Sequence, residues 1–290
     1  MFERFQTVQN ASMRDYTTLR LGGPADWLVT PGSLAELSQI LEEARKHHLP
    51  VTVIGHGSNL LVLDRGIRGL VVRMAGGMRE CFIRENMLIA EGGVMMGTAA
   101  LAAAETGLTG LEFASGIPGT VGGGVMMNAG AYGGEMSQTV HEVSTLTLEG
   151  IPETWTGDQM RFGYRTSALQ GTDRIVTRVT FWMEKGDPGE IRSRMNALNR
   201  QRAEKQPLDM PSAGSTFKRP EGAYAAALID QCGLKGYAVG GASVSLKHAG
   251  FLVNTGDSAA DYLELVRQVQ RIVEDRTGIR LEPEIRILGE

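Results

Sequence analysis

Two glycine-rich segments contain residue types that could contact a phosphate-bearing ligand. The first, Gly55-His-Gly-Ser-Asn59, directly follows the apolar run at 51–54. The second covers residues 110–134 and includes Ser115-Gly-Ile-Pro-Gly119 and Gly122-Gly-Gly124. Glycine lets backbone N–H groups approach a phosphate without interference from a Cβ atom. The chain has 38 glycines in 290 residues, whereas an average usage of about 7% gives about 20.

Neither segment matches a standard nucleotide-binding fingerprint. The first lacks the third glycine of G-x-G-x-x-G and precedes β-rich sequence, which disfavours a Rossmann site. The second lacks the Gly-Lys-Ser/Thr ending of a P-loop, so nucleotide hydrolysis is not indicated. Two anion-binding loops in one lobe fit an extended cofactor that contains a pyrophosphate. Glycine used only for close packing is the alternative, and the residues alone leave both interpretations open.

The composition is that of a globular enzyme, with 42% hydrophobic and 21% charged residues. A net charge of −4 with scattered Lys and Arg argues against nucleic-acid binding. The start of the chain has no signal-like apolar region, and no apolar stretch is long enough to span a membrane, so we expect a cytoplasmic protein. Cys81 and Cys232 lack metal or CxxC spacing, which predicts two buried free thiols and no metal site. We expect a monomer, because no heptad pattern is evident.

Hydrophobic periodicity predicts an α+β protein. A helix is expected over 33–48, with a capping box formed by Ser33 and Glu36. Its predicted apolar face consists of Leu34, Leu37, Ile40, Leu41 and Ala44. Further helices are predicted at 98–105, 187–206, 221–232 and 258–276, the last with Tyr262, Val266, Val269 and Val273 on one face. Strands are predicted at 51–54, 60–64, 70–74, 87–93, 140–149, 174–184, 250–254 and 279–288.

The proline-containing tract Pro207–Gly214 predicts a domain boundary. Residues 1–206 would form a first lobe with two α+β parts, about 1–70 and 71–206. Residues 207–290 would form a smaller second lobe, whose last strand could return to the first.

Six motifs, in order and with matching spacing, resemble the UDP-N-acetylenolpyruvoylglucosamine reductase (MurB) family. Each motif alone is weak, but together they cover the chain from about Thr17 to Gly289 and are specific. No segment between Arg165 and Ser215 resembles the extra tyrosine-bearing loop of longer members, so the resemblance implies the compact type II form. The motifs are Gly55–Asp64, Ser115–Gly123, Asn128–Gly133, Phe162–Arg165, Gly214–Lys218 and Leu281–Glu284.

The resemblance implies a vanillyl-alcohol-oxidase (PCMH)-type FAD-binding lobe followed by a substrate-binding lobe. FAD would be held non-covalently, with His56 in the variable position of the first glycine motif. NADPH would drive the reduction of UDP-N-acetylglucosamine enolpyruvate to UDP-N-acetylmuramate in peptidoglycan precursor synthesis. The residues carried over to FAD binding are Gly55, His56, Gly57, Ser58, Asn59, Ser115, Gly116, Gly119, Gly122, Gly123 and Asn128.

The same resemblance assigns Arg165, Ser215 and Glu284 to catalysis, and Tyr164 and Lys218 to the substrate. A guanidinium can stabilise negative charge on the substrate carboxylate, and a serine hydroxyl can supply a proton. Taken alone, Ser215 would be a turn residue that bonds the backbone, and the two charged residues would be surface ion-pair members.

Four residues depart from the family pattern: Arg219 where Asn is usual, and Ser243, Leu246 and Gly250 where Gln, Glu and Asn are more common. They leave the UDP-sugar contacts open. Two other functions also remain: a flavin oxidase of the same fold acting on another sugar or alcohol, and a non-catalytic nucleotide-sugar sensor.

Overall fold

The computed structural model describes all 290 residues, Met1–Glu290. The helices are α1 (Leu34–Lys46), α2 (Met96–Glu105), α3 (Val121–Met126), α4 (Pro188–Lys205), α5 (Ala225–Gln231) and α6 (Ala259–Thr277). The strands are β1 (Gln6–Ser12), β2 (Pro24–Thr30), β3 (Val51–Ile54), β4 (Leu60–Val62), β5 (Ile67–Arg73), β6 (Cys81–Arg84), β7 (Met87–Glu91), β8 (Leu108–Thr109), β9 (Gly130–Ala131), β10 (Gly134–Glu135), β11 (Val140–Thr147), β12 (Pro152–Thr156), β13 (Arg174–Trp182), β14 (Glu184–Lys185), β15 (Ser212–Ser215), β16 (Ala238–Val239), β17 (Ala242–Val244), β18 (Phe251–Asn254) and β19 (Arg286–Leu288).

The chain folds as two compact units, and neither is continuous in sequence. The first unit comprises Met1–Gln9, Trp27–His56 and Gly69–Arg202. The second unit comprises Asn10–Asp26, Gly57–Arg68 and Ala203–Glu290. Two short N-terminal segments therefore belong with the C-terminal part of the chain.

Helix α1 illustrates how local sequence sets an element. The Ser33 hydroxyl accepts the Glu36 N–H at 3.2 Å, as the predicted cap requires. The Glu36 carboxylate accepts the N–H of Gly32 at 2.8 Å, one residue before the position that a capping box would use. Leu37, Ile40, Leu41 and Ala44 are buried as predicted. The prediction for Leu34 is wrong, because its side chain is 44% exposed at the start of the helix.

The largest sheet of the first unit has five antiparallel strands in the order β12-β11-β13-β7-β6. Helix α2 and this sheet contribute to the same hydrophobic core. The helix supplies four buried alanines, Ala99, Ala100, Ala103 and Ala104. A second sheet has the order β1-β2-β5-β3, with β3 and β5 parallel. The predicted strands at 140–149 and 174–184 are confirmed as the antiparallel pair β11 and β13.

The second unit is built on a four-stranded sheet in the order β15-β18-β17-β16. Helix α6 buries Tyr262, Val266, Val269 and Val273, which confirms the predicted apolar face. Strand β19 pairs in parallel with β4, so that Arg286 lies opposite Leu60.

Several predicted boundaries in the second unit are wrong. The helix predicted at 221–232 begins only at Ala225, after Gly222 with a φ of +70°. The strand predicted over 279–288 is confined to Arg286–Leu288. Both segments lack a run of alternating or periodic residues long enough to fix their ends.

None of the six helices combines the length and apolar composition needed to cross a membrane. Both cysteines are free, and Cys232 is buried as predicted, but Cys81 is only partly buried, contrary to the prediction. Burial raises the pKa of the Cys81 thiol.

Candidate functional site

The first glycine motif forms a tight loop after β3. A Cβ atom on Gly55 would lie 2.5 Å from the Thr120 hydroxyl oxygen, so this position brings the loop against the second glycine tract. Gly57 has a φ of +73°, and a Cβ there would lie 2.1 Å from the Tyr16 carbonyl oxygen. Both positions therefore require glycine. Partial burial, followed by the charge of Arg73, lowers the pKa of His56.

The glycines of the second tract are of two kinds, some buried against neighbouring backbone and others exposed. The Thr120 hydroxyl caps α3 by accepting the Gly123 N–H at 3.2 Å. The Gly122 N–H donates to the Gly92 carbonyl at 3.0 Å, and a Cβ on Gly122 would make a tight contact, also of 3.0 Å, with that carbonyl oxygen. Gly123 is exposed, and a Cβ there would meet only the Thr120 hydroxyl, at 3.3 Å. Gly122 thus serves backbone packing, whereas Gly123 faces outward.

Helix α4 holds the start of this tract. The Ser115 hydroxyl bonds to the Asn199 side-chain oxygen at 3.2 Å. The Arg202 guanidinium donates to the Gly116 carbonyl and bonds to the Tyr132 hydroxyl. Burial lowers the pKa of Arg202, and the interaction with Tyr132 opposes this effect. Sequence reasoning missed Asn199 and Arg202, because they lie in a charged helix without a motif.

Arg165 lies at the corner of a tight turn. Gly163 and Thr166 exchange backbone hydrogen bonds at 3.1 and 3.3 Å, which leaves Tyr164 and Arg165 at the tip. Arg165 has a φ of +55°, uncommon for a residue with a side chain. Its guanidinium donates to the Gly130 carbonyl at 3.2 Å and lies 5.3 Å from the centre of the Tyr164 ring.

Asn128 ties this turn to the glycine tract. Its side chain is 1% exposed, and its backbone φ is +42°. The amide nitrogen donates to the Gly163 carbonyl at 3.0 Å, and the amide oxygen accepts the Ser137 N–H at 3.0 Å. Asn128 therefore positions the Tyr164–Arg165 turn from within the protein.

Ser215 and Glu284 are brought together in the second unit, whereas Arg165 belongs to the first. Strand β15 ends at Ser215, which is exposed. The next carbonyl, that of Thr216, accepts the Glu284 N–H at 2.8 Å. The Glu284 carbonyl in turn accepts a hydrogen bond from the Asn59 side-chain amide at 3.1 Å. This hydrogen bond connects Asn59 and Glu284, which are 225 positions apart in the sequence.

Lys218, assigned to the substrate, and two residues that depart from the family pattern, Arg219 and Leu246, lie in the second unit. The Lys218 ammonium group is 3.3 Å from the Glu282 carboxylate, an ion pair with both side chains partly exposed. Arg219 stacks over the Tyr224 ring at 4.5 Å, and Leu246 is 76% exposed. Two of the four departures from the family pattern therefore lie on the surface of this unit.

Two family models match the chain. The model described as "FAD binding domain" matches residues 25–153. The model described as "UDP-N-acetylenolpyruvoylglucosamine reductase, C-terminal domain" matches residues 206–288.

Full-length relatives give the same result. The UDP-N-acetylenolpyruvoylglucosamine reductase of Caldanaerobacter subterraneus subsp. tengcongensis is 46% identical over 97% of this chain and 93% of its own length. That of Lactiplantibacillus plantarum is 45% identical over 100% of this chain and 96% of its own. The crystal structure of the reductase from Thermus caldophilus superimposes with a TM-score of 0.84 at 39% identity and covers 99% of both chains.

Proposed function

Since the chain belongs to the UDP-N-acetylenolpyruvoylglucosamine reductase family, we propose that Arg165, Ser215 and Glu284 carry out the reaction. The protein is an FAD-dependent oxidoreductase of peptidoglycan precursor synthesis. It uses NADPH to reduce UDP-N-acetylglucosamine enolpyruvate to UDP-N-acetylmuramate. Identity of 46% over 97% of the chain carries this conclusion and favours it over an oxidase or a sensor.

The two glycine tracts fit FAD, because Gly55 packs against Thr120 and Gly123 is exposed beside it. We assign binding to Gly55, His56, Gly57, Ser58, Asn59, Ser115, Gly116, Gly119, Gly122, Gly123 and Asn128. Within this set, Gly122 and Asn128 act by shaping the backbone. The chemistry that FAD supplies when bound is hydride transfer from NADPH to the methylene carbon of the enolpyruvyl group.

Arg165 has the charge that this addition requires. Adding a hydride to an enol ether places negative charge on the adjacent carbon, and the neighbouring carboxylate can accept it as an enolate. A guanidinium stabilises that charge through planar, charge-assisted hydrogen bonds. The turn that carries Arg165 is fixed by the hydrogen bonds of Gly163 and Asn128, so the guanidinium starts from a defined backbone.

Ser215 then donates a proton to the charged carbon, which completes the lactyl ether. The side chain is exposed at the end of β15, where a bound substrate can reach it. Glu284, fixed beside it by the bond between its own N–H and the Thr216 carbonyl, holds a proton or orients the substrate carboxylate.

Tyr164 and Lys218 are proposed substrate contacts. The Tyr164 ring is 52% exposed and can pack on a planar group. The Lys218 ammonium, paired here with Glu282, can exchange that partner for a phosphate of the UDP group.

The role of Ser215 is tested by substituting Ser215→Ala and following flavin absorbance without oxygen. We expect the variant to keep FAD and to be bleached by NADPH at the wild-type rate. Recovery of absorbance on adding the enolpyruvyl substrate should slow by about 10²- to 10⁴-fold, the usual contribution of a general acid. Ser212→Ala, in the same strand, is the matched control. Normal recovery in Ser215→Ala would remove this residue from proton transfer.

A further inference from the structure

Two buried hydroxyl groups lie directly behind Ser215. Thr216 and Tyr262 are both 0% exposed. The Leu252 N–H donates to the Thr216 hydroxyl oxygen at 3.3 Å, and that oxygen is 3.4 Å from the Tyr262 hydroxyl. The Tyr262 hydroxyl donates to the Leu252 carbonyl at 3.2 Å. If Thr216 donates to Tyr262, every proton in this closed ring has an acceptor.

The ring lies where the pairing of β15 with β18 ends. Strand β15 pairs with β18 only as far as Ser215. The Thr216 N–H still donates to the Gly250 carbonyl at 2.9 Å, but the Thr216 carbonyl accepts the Glu284 N–H at 2.8 Å. Because the Thr216 side chain takes the Leu252 N–H, the ladder can end without leaving that donor unsatisfied. The Thr216 carbonyl is therefore available to hold Glu284.

Packing alone does not require a hydroxyl on Tyr262. The rest of this face of α6 is apolar, with Val266, Val269 and Val273 all buried, and a phenylalanine ring would fill the same space. Burial raises the pKa of Tyr262, so its hydroxyl keeps its proton and remains a donor. The phenol group therefore serves as a rigid polar anchor, supplied by the helix, for the strand that ends at Ser215.

We propose that Thr216 and Tyr262 are positioning residues that hold Ser215 and Glu284 in the arrangement needed to deliver the proton. The inference rests on the proposed function of those two residues. A general acid must lie within hydrogen-bonding reach of its target, and a displacement of about 1 Å can cost about 100-fold in rate. Removing the Tyr262 hydroxyl takes away the acceptor of the Thr216 hydroxyl and a donor to the Leu252 carbonyl, and removing the Thr216 hydroxyl takes away the acceptor of the Leu252 N–H. A buried polar group that loses its partner is costly, which allows the strand ends to shift.

The test compares Tyr262→Phe and Thr216→Val with the wild-type enzyme in the two half-reactions. We expect both variants to retain FAD and to be bleached by NADPH within about twofold of wild type. Recovery of flavin absorbance with UDP-N-acetylglucosamine enolpyruvate should slow by about 10- to 100-fold. Thr216→Ser, which keeps the hydroxyl, should restore recovery. Tyr237→Phe is the matched control, because its hydroxyl bonds to Gln268 on the same helix.

Wild-type recovery in Tyr262→Phe and Thr216→Val would overturn the inference. An equal loss in both half-reactions would also overturn it, since that pattern indicates general loss of structure. If Thr216→Val does not fold, Tyr262→Phe decides by itself. Ser215→Ala is measured alongside to separate the inference from the proposal on which it rests. Normal recovery in Ser215→Ala refutes the proposed proton-donating role of Ser215. Slow recovery there with normal recovery in Tyr262→Phe refutes only the positioning role.

Discussion

Unusual backbone conformations cluster around Gly130. Asn128, Tyr132 and Arg165 have φ values of +42°, +54° and +55°, and none of them is a glycine. Such conformations cost about 1–3 kcal/mol each and persist only where surrounding contacts impose them. Arg165 bonds to the Gly130 carbonyl, and Asn128 bonds to the Gly163 carbonyl. The strain therefore lies in the turn that carries the proposed catalytic guanidinium and in the segment, 128–132, to which that turn is bonded.

Arg165→Lys should reveal whether planar recognition by the guanidinium matters. A lysine keeps the positive charge but cannot form two parallel hydrogen bonds to a carboxylate. We expect recovery of flavin absorbance with substrate to slow by about 10²- to 10³-fold, while NADPH bleaching stays near wild type. Arg161→Lys is the matched control, because Arg161 is exposed and also has a positive φ. An equally slow Arg161→Lys would show that the loss does not depend on the guanidinium of Arg165.

His248 should make stability depend on pH. Burial, assisted by the charge of Lys235 and opposed by a backbone hydrogen bond, lowers its pKa in the folded state. In the unfolded chain the histidine has an ordinary pKa of about 6.5, so below that pH the unfolded chain binds more protons than the folded protein does. Stability is therefore lost as the pH falls from about 6.5 through the lowered folded-state pKa. Urea unfolding at pH 7.5 and pH 5.5 should give a smaller difference for His248→Gln than for wild type. The exposed His141, changed to Gln, should leave the wild-type difference intact, and an unchanged difference in His248→Gln would refute the assignment.

At the level of elements, one motif residue has a structural role that its sequence context does not suggest. Asp64, at the end of the first glycine-containing motif, accepts the N–H groups of Ala259 and Ala260 at 2.8 and 3.0 Å. Ser258 accepts the N–H of Asp261 at 3.2 Å. The start of α6 is thus capped by its own serine and by a carboxylate 195 positions earlier in the chain.

Asp64→Ala should therefore destabilise α6. Two N–H groups at a helix start would lose a charged acceptor, so we expect the free energy of unfolding to fall by about 1–3 kcal/mol. Chemical denaturation followed by circular dichroism measures this change. Asp257→Ala removes an equal charge one residue before the serine cap, at an exposed position, and should cost less than about 0.5 kcal/mol. Equal losses in the two variants would indicate a general charge effect instead of capping.

At the scale of the whole molecule, the chain is interleaved. Leu19, Leu21 and Leu61 lie in the same buried cluster as Tyr262 and Leu281. Strand β19 pairs with β4, and Asn59 bonds to the backbone of Glu284. The core of the second unit therefore needs segments from both ends of the chain. That the protein is a monomer remains a prediction from the sequence.

The C-terminal segment alone should consequently fail to fold. A fragment of residues 207–290 lacks Leu19, Leu21, Leu61 and the strand that pairs with β19. We expect it to show no cooperative thermal transition by circular dichroism, whereas the full chain shows one. A cooperative transition in the fragment would show that the N-terminal segments add to a core that is already complete.

The sequence by itself determined the family, the α+β class, the apolar face of α6 and, except for Leu34, that of α1. Those features are encoded locally, because helical periodicity and motif spacing can be read within short windows. It also marked Arg165, Ser215 and Glu284 as candidates, although only by resemblance. The two-residue strand β16 carries too little periodicity to be found that way, and the three residues of β19 were predicted as part of a much longer strand.

Only the tertiary structure decided which distant residues meet. It joined Asn59 to Glu284, buried the Asn128 amide against the Arg165 turn, and brought Thr216 and Tyr262 behind Ser215. Each of these is a polar contact between segments far apart in sequence, or a side chain whose burial depends on such segments. Local sequence does not fix the partner of a buried polar group, because that partner is supplied by whatever the rest of the fold packs against it.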